Sequence, residues 1–154
     1  YDYETANGSN TMKLMVGEIL DLVAAADTED KKINILRANY SPAMEDVLRW
    51  SHDPTIVFFT DKIPPYTPDQ SPEGLTMTTL YSEHKRFYMF ARDAHIDDSR
   101  KTVLLIQMLE ALGNKEASVL EQVIKKNLLV VSKNLAEKAY PGMFLKPVRV
   151  PVGS

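Results

Sequence analysis

A single run in this chain reads as a β-strand: residues 55–60, TIVFFT, short, β-branched and aromatic. No second run of similar quality follows it. A lone strand leaves its N–H and C=O groups without a ladder. The run is therefore expected to be an extended segment crossing the core, or one edge of a small hairpin. The rest of the chain has to fold by helices.

The helices are legible from apolar spacing and from their caps. Over 12–26, Met15 or Val16, then Ile19, Leu20 and Val23 recur at helical spacing, with Glu18 and Asp21 on the other face. Asp27 or Thr28 can cap a second helix, with Glu29 and Asp30 in its first turn and Ile33, Leu36 and Tyr40 as its stripe. Ser41 and Pro42 open a third as N-cap and first helical residue; Met44, Val47, Leu48 and Trp50 face inward. Asp53-Pro54 ends it, because the residue before proline avoids the helical region.

A fourth helix is expected over 76–92, capped by Thr76 or Thr78. Leu80, Tyr81, Phe87, Tyr88 and Ala91 lie on one face; His84, Lys85, Arg86 and Arg92 occupy much of the rest. A fifth, 100–112, is apolar nearly all round through Val103, Leu104, Ile106, Met108, Leu109 and Leu112. That marks it as the central buried helix, with Gly113 as its C-cap. Asn114 caps a sixth, to about 126, with Ala117, Leu120, Val123 and Ile124 inward, and Ser132 caps a seventh over 133–140. Pro141-Gly142 stops it. The expectation is one all-α domain of about seven short helices over 12–145. Residues 1–11 read as a tag remnant or linker, and 146–154 as an extended tail.

A length of 154 residues suits one domain. The 44% hydrophobic and 25% charged residues are those of an ordinary globular protein. With no cysteine, disulfides, thiolate metal sites and cysteine nucleophiles are excluded, and a reducing cytoplasm fits. No apolar run approaches the ~18 residues of a membrane span. The net charge of −3 hides a gradient. Residues 1–75 carry 13 acids and 6 bases, net −7, and residues 76–154 carry 8 acids and 12 bases, net +4. Such a molecule can orient on a charged partner, although a solvated surface also accounts for it.

No motif implies catalysis, a metal or a cofactor. His52, His84 and His95 have no second ligand at metal spacing and read as helix-end or surface residues, His84 able to add to a basic patch. The acid pairs Glu29-Asp30, Glu45-Asp46 and Asp97-Asp98 read as caps and solubility. The serines lack a nucleophile-elbow context, and no glycines form a phosphate loop.

Two stretches bear on binding. The proline-rich loop at 61–75 presents Pro64, Pro65, Tyr66 and Pro68, a candidate contact for a protein partner. The competing reading packs Tyr66 on the body. The second is a basic set: Lys85, Arg86, Arg92, Arg100, Lys101, Lys125, Lys126 and Lys133, its first members interleaved with aromatics. Bases with aromatics can hold phosphates and stack nucleobases. Equally, the aromatics can be core and the bases the wet face of the same helix. Residues 114–140 have the outline of a helix-turn-helix, but the connection is long and lacks glycine, which favours an ordinary helical hairpin.

The stretch 63–90, IPPYTPDQSPEGLTMTTLYSEHKRFYMF, resembles the central signature of an uncharacterised family of small proteins from large tailed phages, including those infecting cyanobacteria. The likeness continues in LLIQMLEALGNKEASVLEQVIKKNLL, and covers roughly 12–145. It implies a phage protein acting in the infected bacterial cytoplasm and assigns no residue a role. The expected function is non-enzymatic binding of a host or phage protein, with a nucleic-acid-binding accessory of phage replication or transcription as the alternative.

Overall fold

The computed structural model describes residues 13–148; the expected linker over 1–11 and the end of the tail lie outside that span. Among the described residues the fold is all-α, a single domain of seven α-helices with two 3-10 helices and no named strand. No helix there is long and apolar enough to cross a membrane.

The helices α2 (Glu29–Ala38) and α3 (Pro42–His52) start where their caps predict, while α1 (Val16–Ala25) starts after Met15 rather than at residue 12. Glu18 reaches back to the Met15 N–H at 2.9 Å. Thr28 Oγ1 accepts from the Lys31 N–H, and Ser41 Oγ from the Met44 N–H. Each bond satisfies an N–H that a helix start leaves without a partner. On α2 the stripe is thin: Leu36 is buried, while Tyr40 lies past the helix end, half exposed, edge-on to Tyr140.

The central helix is α3, not the fifth helix as the apolar count suggests. All residues from Ala43 through Ser51 are buried. α3 packs on α6 (Asn114–Ile124), on α7 (Lys133–Ala139), on α4 (Leu80–Glu83) and on the 3-10 helix His84–Phe90. By contrast α5 (Asp98–Ala111) buries Leu105, Met108 and Leu109 but leaves Val103 exposed and Leu104 and Ile106 half-buried. Hydrophobic count misjudges depth here because the polar residues of α3 are buried in pairs with partners.

The expected fourth helix over 76–92 is also corrected. Only Leu80–Glu83 is α-helical, the N-cap position is Thr79 rather than Thr76 or Thr78, and the chain tightens into the 3-10 helix at His84. It must leave helical geometry by Ala91, which pairs with Phe58 in an isolated antiparallel bridge. The Phe59 N–H donates to Phe90 O at 2.8 Å and the Arg92 N–H to Val57 O at 2.7 Å. The TIVFFT run thus finds its backbone partners in 90–92, as an extended segment on the core.

Gly113 is the N-cap of α6, with φ −67°, and Leu112 caps α5. The position takes glycine for space: a Cβ there would sit 2.8 Å from Thr76 Cγ2. Ser132 caps α7 as expected, accepting from the Leu135 N–H. α7 packs on α2 and α3, so 114–140 folds as two helices on a shared body and not as a helix-turn-helix. Gly142, at φ 83°, ends the segment in the left-handed region.

Candidate functional site

The proline loop is tied down along its length. The Tyr66 hydroxyl donates to Glu121 Oε2 on α6. Burial, then the Glu121 carboxylate, push the Tyr66 hydroxyl well above its ordinary pKa. The Thr67 N–H donates to Glu110 Oε2 at 2.8 Å. Asp69 bridges Gly113, its carbonyl accepting from the Asn114 N–H at 2.9 Å. Beyond it, Pro72 O accepts from the Leu75 N–H across a turn with Gly74 at φ 86°, and Thr78 N–H donates to Ala111 O. The loop also roofs a cavity of about 800 Å³ lined by Gly17, Asp21, Tyr66, Glu73, Lys115 and Glu121. Inside it, Lys115 pairs with Asp21.

This anchoring redistributes the expected contact. Pro64 and Tyr66 are half-buried, so Tyr66 serves the fold; Pro65 and Pro68 remain exposed. The large exposed apolar side chains lie further on: Leu75 at 71% and Met77 at 86%. The sequence did not single them out: Leu75 is the last residue of the expected loop, and Met77 falls in the expected fourth helix.

The basic set divides. Lys101 is 1% exposed, its Nζ donating to Ala91 O at 2.7 Å and Arg92 O at 3.2 Å, so it is a core lysine and not a phosphate contact. Lys126 is corrected in the same way. It is half-buried at φ 53°, its Nζ donating to the carbonyls of Trp50 and Asp53 at 2.9 Å each. Burial holds its ammonium below the usual lysine range. Lys85, Arg86, Arg100 and Lys133 are exposed, Arg86 pairing with Glu83 at 3.0 Å. Arg92 and Lys125 are exposed and meet at one cleft of about 530 Å³ over Ile56, Phe58, Phe59 and Ile124, with Lys126 in its wall.

The polar residues that the sequence placed at the surface build the interior. Asp46 Oδ2 lies 2.5 Å from His84 Nδ1, both side chains buried, so His84 joins no basic patch. Glu45 accepts from the Tyr40 hydroxyl and from Lys146 Nζ. Arg49 donates to Asp53 at 2.5 Å and to the carbonyls of Met143 and Lys146. Burial pushes the Asp53 carboxyl up, but hydrogen bonds from Thr55 and Arg49 outweigh it and hold it below the ordinary range. Glu116, which the sequence did not single out, is 2% exposed and accepts from the N–H groups of Leu80 and Gly17, at the starts of α4 and α1. Burial raises its pKa, and the backbone bonds oppose the rise. Every fully buried side-chain nitrogen and oxygen among the described residues has a partner.

No curated protein matches the chain. Residues 19–129 match the model of a family of unknown function (DUF6433), a span that takes in α3, the proline loop and the Arg92–Lys125 cleft. The match covers most of the chain, which therefore belongs to that family of unknown function.

Proposed function

We propose that this protein is a non-enzymatic accessory that binds a host or phage protein in the infected bacterial cytoplasm. The observation that carries the reading is a long loop held in one shape with Leu75 and Met77 facing solvent. An ordered loop loses little conformational entropy on binding, and exposed apolar side chains supply the area that association buries. The buried ionisable groups of α3 and α6 are engaged in mutual or backbone hydrogen bonds, which favours a structural role for them.

The test replaces both side chains while sparing the anchors. The Leu75→Ser/Met77→Ser variant, with an unchanged melting temperature, is expected to lose the partner captured by wild type from infected cells at least ~10-fold, a difference of about 1.4 kcal/mol. A photo-crosslinking residue at Met77 should label that same partner. Equal capture by the folded double variant overturns the reading.

A second reading, nucleic-acid binding, is favoured by one observation: Arg92 and Lys125 converge on a single cleft.

A further inference from the structure

We propose that the cleft between residues 54–61 and the end of α6 is a phosphodiester site, with Arg92 and Lys125 as its charge contacts. The proposal rests on the nucleic-acid reading and names its ligand chemistry and residues.

The backbone of Arg92 is fixed alongside 57–59 by its own N–H bond to Val57 O and by the Phe58–Ala91 bridge. Lys125 is the C-cap residue of α6, where the helix dipole favours a cation. Lys126 fixes the opposite wall, since its bonds to Trp50 O and Asp53 O hold the end of α6 against the end of α3. Among the described residues neither Arg92 nor Lys125 has a side-chain hydrogen bond or ion pair, and both are exposed. The lining holds three cations and one acid, the exposed Asp61.

The floor decides between anionic ligands. Its apolar part is the exposed Val57 and the partly buried Phe59, over the buried Ile56, Phe58 and Ile124. A phosphodiester brings a sugar and a base beside its charge, and Val57 and the Phe59 ring can pack against them. An acidic peptide offers carboxylates with no flat ring to cover that floor. A guanidinium also matches two phosphate oxygens as a fork. The volume, about 530 Å³, lies in the range of small-ligand sites and accommodates one nucleotide unit, from a single strand or a duplex backbone.

The experiment titrates the full chain with a short fluorescent oligothymidylate and with a hairpin duplex, between about 50 and 200 mM salt. Each phosphate contact adds about −0.7 to the logarithmic salt slope for a single strand and about −0.9 for B-DNA. The Arg92→Ala/Lys125→Ala variant should therefore flatten the slope by about 1.4 or about 1.8 respectively, and weaken binding at least ~10-fold. Both residues are exposed, so the fold should survive, checked by the melting temperature. The preferred probe identifies single strand or duplex as the source. Binding that is unchanged in the variant overturns the site and leaves the nucleic-acid reading standing. No binding of either probe at the lowest salt overturns both. A polyglutamate peptide that binds wild type as tightly as the oligonucleotide, and loses binding in the variant, also overturns the phosphodiester assignment.

Discussion

Gly113 shows how much one missing methyl group controls. Its backbone, at φ −67°, suits any residue, so alanine should be tolerated there by conformation. Space forbids it: Thr76 Cγ2 would lie 2.8 Å from the new Cβ, and Thr76 belongs to the segment that carries Leu75 and Met77. Gly113→Ala is expected to cost about 1–2 kcal/mol in chemical denaturation through overpacking. Adding Thr76→Ser removes the clashing methyl and should restore most of the loss. A double variant no more stable than Gly113→Ala would show that the close approach is not the cause. The glycine itself stood out in the sequence, but as a helix terminator. Nothing in the local pattern says that a loop some forty residues upstream lies against it. Arg49 is similar: as one polar residue on an apolar helix it gives no hint that it holds the carbonyls of Met143 and Lys146.

At the level of elements, the hydroxyl caps of α2, α3 and α7 were readable, while the caps at Thr79 and Gly113 and the depth of each helix were not. Thr28, Ser41 and Ser132 cap as expected because capping is local chemistry that a few adjacent residues determine. The fourth helix was misjudged because its aromatic spacing fits an α-helix, while the bridge between Phe58 and Ala91 forces an early exit. α3 hid its central place behind Glu45, Asp46 and Arg49, whose partners come from elsewhere in the chain. The end of α3 also sets a pH dependence. His52 Nε2 lies 2.5 Å from Val131 O, an arrangement in which the neutral ring donates Nε2–H. Burial lowers the His52 pKa below 6.5, opposed by the Val131 bond and reinforced by Lys126 and Lys133. As pH falls, the unfolded chain takes up this proton before the folded one. The contribution of His52 is therefore fully present above pH 6.5 and is lost as pH drops below it toward the folded value. Thermal melts from pH 8 to pH 5 should show wild type losing stability relative to His52→Gln, whose amide can keep the donor; parallel curves would exclude His52 as the source.

For the whole molecule, the all-α single domain was legible because only one β-like run exists and helical apolar spacing recurs on both sides of it. The candidate surfaces were legible in part. The proline loop and the bases were visible as composition, yet Tyr66, Lys101 and Lys126 serve the fold, and sequence cannot separate a tethered cation from a free one. What remains is a helical body with an anchored loop displaying Leu75 and Met77, and a cleft whose two exposed cations have no ion pair among the described residues. The rigidity of that loop is the claim on which the protein-binding proposal stands. Amide hydrogen exchange of the free protein, read residue by residue, tests it most directly. The amides of Thr67, Leu75 and Thr78 donate to Glu110, Pro72 and Ala111, and Asn114 donates to Asp69. They are expected to exchange at least ~10-fold more slowly than in an unstructured chain, an opening free energy above about 1.4 kcal/mol. Exchange of all four at the unstructured rate would mean a loose loop, and would contradict the account.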